Sequence, residues 1–559
     1  MTSYDLRVEP WIPWRRRDGT IEWGPIATLV DGVDGPNPVV GVSTSRADFD
    51  GALLEFLIGV LAVALRPGSL DEWRRHLDTA PTYDELRTAI AGLPNAFDLI
   101  APHGPRFMQD ACLSDFEAQD VVPIERLLVD TPGEQTIKQH KAHFVRPERF
   151  DALGMPGAAM ALLTLQTYSP AGGAGHRTSM RGGGPLTTLA EPRRLAALDD
   201  QLWKLLWMNV PTAAELGSEL EPLTGLSGLL RDEDVFPWLA PTRESTKGKP
   251  PVTASEAHPW QAFFGMPRRI RLEPGGPGIC ALTGIAVDQT IAGYRTRPYG
   301  VNYEGWLHPL SPYYQPKPGA GWLPLHGQPG GISWRDWPTL TLFEATADRR
   351  PAAAVRWART RARALGRQQL RLLAFGYDMD NMKARGWIAA EQPLYPLDDR
   401  EAALLGAFTR NIVEGANLIA SELSRQIRRA EFGDEKNASG DWSWVRDALF
   451  DATETSFYEQ LEACVESGAD ADARERMAHE IARVLIDEAQ AIFDQRCPLS
   501  GTSVKVLQHG VVAREQLRSM LRGYTPLGEK MFGLLSMIPP GGGRAQRKQK
   551  KTLSKEVAR

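Results

Sequence analysis

The chain has 559 residues, of which 24% are charged and 42% hydrophobic, and its formal net charge is −5. This length exceeds one ordinary hydrophobic core, so about two to four domains are expected. The acidic balance excludes a global basic field, and a surface that binds nucleic acid would have to arise from local clusters of Lys and Arg.

The four cysteines are scattered and form no C-x-x-C pair, which argues against a disulfide scaffold and a cysteine-based zinc site. His140 and His143 lie three residues apart, but further ligands at a usual spacing are missing, so we expect no metal and no cofactor. The N-terminal segment MTSYDLRVEPWIP has no apolar core of signal-peptide length, and no run of about 18 apolar residues could span a membrane. A cytoplasmic protein with no membrane partner is expected.

The first part of the chain mixes helix and strand patterns. Phe49–Ala64 is apolar on nearly all sides and predicts a buried helix, and Ala158–Gln166 predicts a second helix. Leu370–Gly376 and Gly386–Ala389 read as two strands. The polar segment Tyr377–Lys383 between them predicts the tip of a hairpin.

Near Glu401 the pattern changes to long amphipathic stretches joined by short loops, which is typical of a four-helix bundle. The predicted helices are Glu401–Arg429, Trp442–Glu466, Asp470–Arg496 and one that begins with Val504–Tyr524. The fold class is therefore predicted to be α+β. A large mixed α/β domain spans residues 1–398, a four-helix bundle spans 399–540, and a basic, disordered tail spans 541–559.

The stretch Thr167–Thr188 holds two clusters of glycines, at Gly172–Gly175 and Gly182–Gly184. Glycines allow positive φ and close backbone approach, and Arg177 and Arg181 lie among them. An anion-binding nest and a loop that enters a groove are both consistent with this pattern. A glycine-rich connection between strands is the plain alternative.

Basic residues cluster at Arg268–Arg271, at Arg295 and Arg297 among tyrosines, and in the segment from Arg356 to Arg371. Arginines at 356, 359, 363, 367 and 371 are spaced by three or four, which predicts one face of a helix. This stripe would line a phosphate channel, face an acidic protein or be solvated. We expect one or two of the clusters to face nucleic acid.

Signatures of common enzyme sites are absent from the sequence. There is no G-x-x-x-x-G-K-[ST] motif and no H-E-x-x-H motif. Ser179 is not part of a G-x-S-x-G elbow, and the glycines lack the dinucleotide-binding spacing with its ribose-binding acid. The sequence therefore favours a binding protein over an enzyme.

Four motifs together resemble one known family. They are EPWIP at Glu9–Pro13, the glycine-rich stretch at Gly173–Thr188, WLHPLSP at Trp306–Pro312 and GYDMDNMK at Gly376–Lys383. With the helical C-terminus, the whole chain resembles the large subunit (CasA) of Cascade, the type I-E CRISPR surveillance complex.

The resemblance implies a DNA-recognition subunit without its own catalysis. Such a subunit reads the protospacer-adjacent motif (PAM) on double-stranded DNA and helps to open the duplex so that guide RNA can pair. It also docks the helicase-nuclease that degrades the target. The implied partners are target DNA, the guide-RNA ribonucleoprotein with the other Cascade subunits, and the helicase-nuclease.

The resemblance also carries residue assignments. The glycine loop that approaches the PAM from the minor groove falls on Ala171, Gly172, Gly173 and Ala174. The wedge that splits the first base pair falls on Asp380, Asn381 and Met382, where the family's glutamine is replaced by Asn381; which side chain splits the pair stays open. A basic minor-groove contact falls on Arg297, with Arg295 as the alternative. The loop with Phe144, Val145 and Arg146 resembles the one that contacts the neighbouring subunit and the guide's 5′ end.

Two other classes of function remain open at the level of sequence. A hydrolase or transferase would use the glycine–arginine loop as its anion site. A purely structural subunit would rest on the helical bundle and the 16 tryptophans.

Overall fold

The computed structural model describes residues 3–113, 121–142, 145–146, 149–173, 175–192, 201–217, 231–342, 348–366, 369–380, 382–434, 436, 438–497 and 504–537. The chain divides into two compact units. The first joins Met1–Gln328 to Asp348–Pro396, and the second joins Pro329–Ala347 to Leu397–Arg559. The predicted domain 1–398 thus includes a segment, Pro329–Ala347, that packs with the second unit. The predicted tail 541–559 lies outside the described residues.

Helices occur throughout the chain, and the longest are in the second unit. In chain order they are α1 (Ala47–Leu65), α2 (Leu70–Asp78), α3 (Tyr83–Ala91), α4 (Glu134–Lys138), α5 (Met155–Tyr168), α6 (Leu202–Met208), α7 (Asp232–Val235), α8 (Trp337–Thr341), α9 (Ala353–Ala364), α10 (Asp399–Phe432), α11 (Ser443–Glu466), α12 (Ala471–Arg496), α13 (Val504–Leu521) and α14 (Pro526–Leu534).

Most of the strands are short. In chain order they are β1 (Ile12–Arg16), β2 (Ile21–Gly24), β3 (Val39–Val42), β4 (Val122–Pro123), β5 (Leu153–Gly154), β6 (Thr187–Pro192), β7 (Val252–Thr253), β8 (Arg269–Pro274), β9 (Gly278–Ile279), β10 (Ala286–Val287), β11 (Thr290–Arg297), β12 (Tyr303–Glu304), β13 (Tyr313–Tyr314), β14 (Leu323–Pro324), β15 (Arg349–Arg350), β16 (Leu370–Asp380) and β17 (Lys383–Leu394). Together with the helices, they confirm the predicted α+β class.

Helix α1 is the buried centre of the first unit. Its side chains are apolar on nearly all sides, as predicted, and most of them are buried. Asp48 and Asp50 stand in its first turn, where a negative charge is favourable. The helix ends at Leu65, and the next residue, Arg66, adopts a left-handed conformation immediately before Pro67.

Two antiparallel sheets of the first unit carry the residues of interest. In one, β16 pairs with β17 on one side and with β6 on the other. In the second, β11 pairs with β8 and with the short strands β4 and β5. The predicted hairpin is confirmed, but its strands extend to Asp380 and Lys383, so its tip is shorter than expected. Tyr377 and Trp387 face each other across it, with ring centroids 5.0 Å apart, and such aromatic pairs favour strand pairing.

The second unit is built from long helices, as the amphipathic pattern predicted. Asp398 and Glu401 form a reciprocal capping box at the start of α10, and Gly433 ends this helix. Helix α10 packs against α11, α12, α13 and α14. The Trp334 ring stacks on Phe457 of α11 at 4.3 Å, which explains why Pro329–Ala347 belongs to this unit.

The predicted arginine stripe is wrong as a single helical face. Helix α9 ends at Ala364, and Arg371 lies in β16, where it pairs with Glu191 and Glu391. Arg359 is buried, and Arg367 lies outside the described residues. The spacing of the arginines does not continue into one helix because Gly366, with φ of +82°, follows the helix end.

No helix in the described part of the chain is long and apolar enough to cross a lipid bilayer.

Candidate nucleic-acid interface

The glycine-rich stretch forms a closed loop between α5 and β6. Its two ends are joined by backbone hydrogen bonds, in which Ser179 N–H donates to Ser169 O and Gly184 N–H donates to Tyr168 O, both at 3.0 Å. The loop is therefore held at its base by the last turn of α5, and the first glycine cluster is free to project from that base.

The first glycine cluster is an exposed tight turn. Gly172 N–H donates to His176 O at 3.3 Å, and His176 N–H donates to Gly173 O at 3.2 Å. Ala171, Gly172 and Gly173 are all exposed, and Gly173 has φ of +96°. Ala174 lies outside the described residues. The turn thus presents bare backbone to the surroundings.

This turn lies beside the end of β11. Tyr299 N–H donates to Gly175 O at 2.7 Å, and a Cβ on Gly175 would stand 2.7 Å from Pro298 Cβ. Tyr299 is exposed, and Arg297 is the last residue of β11. The structure therefore brings the predicted basic contact, Arg297, close to the first glycine cluster.

The second glycine cluster packs against the hairpin. A Cβ on Gly184 would lie 2.7 Å from two atoms of Met379, and one on Gly183 would lie 3.3 Å from Met382 Sδ. These glycines are needed because β16 approaches the loop so closely. This cluster therefore packs the loop against the hairpin, with Gly183 and Gly184 close to Met382 and Met379.

Arg181 belongs to a buried network and does not line an anion nest. It forms an ion pair with Glu55 of α1 at 2.5 Å and donates to Thr187 and Ser311. Tyr168 also donates to Glu55, and burial together with the Glu55 charge raises the pKa of its phenol well above the usual value. The interpretation of Arg181 as an anion ligand is wrong, because a buried carboxylate already neutralises it.

Arg177, the other arginine of the stretch, is bound to a neighbouring loop. Its guanidinium donates to Ser245 Oγ at 2.7 Å and to Ser245 O at 2.9 Å. His176 is half-buried, and burial followed by the charge of Arg268 lowers the pKa of its imidazole. His176 is therefore neutral at pH 7 and adds no positive charge to the turn.

The hairpin tip is exposed and held in place from behind. Met382 is 50% exposed and has φ of +64°, and Asp380 is exposed. Asn381 lies outside the described residues. Tyr377 Oη donates to Asp48 of α1 at 2.6 Å, so the base of the tip is fixed to the same helix that anchors the glycine loop.

The arginines of β8 and β11 differ in their surroundings. Arg269 is buried and pairs with Asp110 and Glu244, both at 2.5 Å, so this member of the predicted cluster Arg268–Arg271 is structural. Arg295 pairs with Glu273 at 2.7 Å. Arg297 is half-buried and lies opposite Arg269 in the strand register. Of the two alternatives, Arg297 is the one closer along the chain to Tyr299 and the turn.

Two of the three residues of the predicted partner loop are described by the structure. Val145 is half-buried and Arg146 is exposed, whereas Phe144 lies outside the described residues. Arg149 pairs with Asp130 at 3.6 Å, and Asp130 also accepts from Arg46. Among the described residues there is no cluster of three or more His, Cys, Asp or Glu that could hold a metal.

Sequence reasoning missed the role of two neighbours of the loop, Met379 and Tyr299. The pairing of tyrosines with arginines drew attention to the segment that contains Tyr299. Nothing in the sequence places it against Gly175, because 124 positions separate the two residues.

Comparisons with known proteins agree with the motif resemblance. A family model described as CRISPR-associated protein Cse1 matches residues 5–487. The chain is also similar to the crystal structure of Cse1 from Thermobifida fusca, with a TM-score of 0.66 and 18% identity over 96% of this chain and 98% of that one.

Two further solved structures share the fold. One is Thermus thermophilus CasA (Cse1), with a TM-score of 0.60 and 17% identity over 94% of this chain and all of that one. The other is a chain of a CRISPR RNA-guided surveillance complex, with a TM-score of 0.59 and 17% identity over 93% of this chain and all of that one. Because the family model covers most of its length, the chain belongs to the Cse1 family of CRISPR-associated proteins.

Proposed function

We propose that this chain is the DNA-recognition subunit of an RNA-guided Cascade complex. It reads the PAM on double-stranded DNA, helps to open the duplex for guide pairing and recruits a helicase-nuclease, without catalysis of its own. One observation carries the proposal: the exposed glycine turn, the strand end with Arg297 and the hairpin tip all lie around a single loop.

Each of these three parts suits a step in DNA recognition. The minor groove is about 6 Å wide, so a turn made only of glycine and alanine is suited to enter it. Arg297 supplies the positive charge that such a groove attracts. Met382 is an exposed apolar side chain at the hairpin tip, which is the kind of group that wedges between base pairs and unstacks them.

The remaining partners follow from the resemblance. In this proposal, Phe144, Val145 and Arg146 contact a neighbouring Cascade subunit and the 5′ end of the guide RNA, and Ala171–Ala174 together with Asp380–Met382 contact DNA. The exposed side chain of Arg146 is suited to a phosphate.

Duplex opening tests the wedge. In the assembled complex, Met382→Ala combined with Asn381→Ala should reduce opening of a linear PAM-containing duplex, read by a fluorescent base analogue next to the PAM. Val511→Ala is the matched control, because Val511 is also 50% exposed but lies on α13. Unchanged opening in the double variant would show that the hairpin tip is not the wedge.

Groove entry is tested in the same complex. Ala171→Trp adds a large side chain to the exposed turn and should abolish the preference for PAM-containing over PAM-free duplex in a gel-shift titration. If Ala171→Trp keeps that preference, the turn does not enter the groove.

A further inference from the structure

Arg268 is a buried cation beneath the exposed glycine turn. Only 9% of its surface is accessible, and its Nε atom has no hydrogen-bond partner in the described part of the chain. One terminal nitrogen donates to Pro170 O, two residues before Gly172. Its backbone is fixed by Gln166, whose side chain both accepts from Arg268 N–H and donates to Arg268 O at 3.0 Å.

The surroundings of Arg268 differ from those of comparable arginines in the same unit. Arg181 pairs with Glu55, Arg269 with Asp110, and Arg361 with Glu215. Arg106 forms no ion pair with the residues that the structure describes, but its guanidinium donates to two backbone carbonyls. Among the ion pairs of the described residues, none includes Arg268.

Burial without a counterion is unfavourable for a guanidinium. It lowers the pKa of Arg268 to about 10, which still leaves the side chain charged at neutral pH. An anion that approached the Arg268 guanidinium would offset part of the desolvation cost of burying it. The neighbouring phenol of Tyr294 carries no negative charge at pH 7, because burial raises its pKa, and burial lowers the pKa of the His176 imidazole, which is therefore neutral.

The turn is shaped around this guanidinium. A Cβ on Gly172 would overlap the terminal nitrogens of Arg268, so the absence of a side chain at Gly172 is what lets the charge lie directly under the exposed backbone. Tyr299 and Gly300 border the same place, since a Cβ on Gly300 would lie 3.5 Å from Arg268 Cα. The Arg268 guanidinium, the exposed backbone of Gly172 and the end of β11 therefore lie next to one another.

We propose that Arg268 and the Gly172–Gly173 turn form a binding site for a single phosphate group of the DNA backbone. This inference rests on the proposed function for the source of the phosphate. It assigns to the turn a phosphate contact that positions the protein on the duplex, alongside its entry into the groove.

The first experiment uses the isolated full-length chain and inorganic phosphate. At constant ionic strength, exchange of chloride for phosphate should raise the melting temperature of the wild type, because a bound ligand stabilises the folded state. Arg268→Gln should lose this rise, and Arg268→Lys should keep part of it. Arg74→Gln, which removes an exposed arginine of α2, should respond as the wild type does.

The second experiment measures salt dependence in the assembled complex. Loss of one phosphate contact should reduce the slope of log affinity against log salt by about 0.9. Arg268→Gln should show this reduction equally with PAM-containing and PAM-free duplex, while Arg74→Gln should not. Circular dichroism of each variant verifies that it is folded.

The outcomes separate this inference from the proposed function. The proposed phosphate site is contradicted if phosphate still raises the melting temperature of folded Arg268→Gln, or if it does not raise that of the wild type. If Arg268→Gln leaves the salt slope unchanged but loses the preference for PAM-containing duplex, the phosphate site is also contradicted, and Arg268 contacts a base instead. If the wild-type complex showed no PAM preference, the proposed function would fail, whereas a phosphate response dependent on Arg268 would still support the site.

Discussion

Gly172 and Gly173 are adjacent in the chain but lack a side chain for different reasons. Gly172 leaves room for the guanidinium of Arg268, and its φ is not positive. Gly173 has φ of +96° and open space around the position of a Cβ. A side chain at 172 would therefore disturb a buried charge, and one at 173 would strain the backbone and project outward.

Gly172→Ala tests whether the absence of a side chain at Gly172 leaves room for the Arg268 guanidinium. The added methyl group should displace the Arg268 guanidinium, so the salt slope for duplex binding should fall as it does in Arg268→Gln. The two changes should be strongly non-additive, because both act on the same group.

Gly19→Ala is the control for loss of a glycine. Gly19 has φ of +87° and open space around it, so its replacement should cost about 1–2 kcal/mol in stability and leave the salt slope unchanged. Additive effects of Gly172→Ala and Arg268→Gln would contradict the shared mechanism.

At the scale of elements, α1 connects the two parts of the interface. Asp48 accepts from Tyr377 of the hairpin, and Glu55, seven residues later on the same face, pairs with Arg181 of the glycine loop. Between them, Gly51 lets Trp387 pack against the helix, since a Cβ there would lie 2.7 Å from the indole. One buried helix thus determines the distance between the loop and the hairpin.

Tyr377 is not one of the proposed DNA contacts, and Tyr377→Phe should loosen the attachment of the hairpin to α1. Loss of the hydrogen bond to Asp48 leaves a buried carboxylate with one partner fewer, at a cost of about 1–3 kcal/mol. Hydrogen exchange of β16 and β17 should become faster, and duplex opening should weaken.

Tyr303→Phe removes the hydroxyl of a half-buried tyrosine that accepts from Met266 N–H and is the matched control. It should lower stability and leave exchange in the hairpin unchanged. Equal exchange in the two variants would show that the Asp48 contact does not hold the hairpin.

At the scale of the whole molecule, the chain leaves the first unit at Pro329, contributes to the second, and returns at Asp348. Within this segment, Pro329–Ala347, Trp334 is fully buried, and its indole donates to Phe450 O at 3.0 Å and Thr453 Oγ1 at 3.1 Å. The second unit therefore needs residues from the middle of the chain as well as from its C-terminal part.

Trp334→Ala should destabilise the second unit by about 3–5 kcal/mol, because it leaves a large cavity against Phe457. Hydrogen exchange of α11 measures the effect directly. Trp444→Ala, at a 39% exposed position in the same helix, should change exchange far less. If both variants accelerate hydrogen exchange of α11 to a similar extent, Pro329–Ala347 is not part of the core of the second unit.

Much of the local structure is predictable because it depends on neighbours in the chain. The apolar run of α1, the hairpin of β16 and β17, and the long helices from Asp399 onward follow from periodicity and capping residues. The arginine stripe was mispredicted because charge spacing alone does not show that Gly366 follows the end of α9. Charged residues mark a helix face only where the helix itself continues.

The family, the α+β class and the segments that form the candidate interface can be predicted from the sequence, because they depend on local patterns and on motifs. The roles of individual arginines depend instead on tertiary contacts. Arg181 is neutralised by Glu55, 126 positions away, whereas Arg268 has no such partner among the described ion pairs. Pairing of buried charges depends on contacts between distant segments, and composition and spacing do not encode which carboxylate will face which guanidinium.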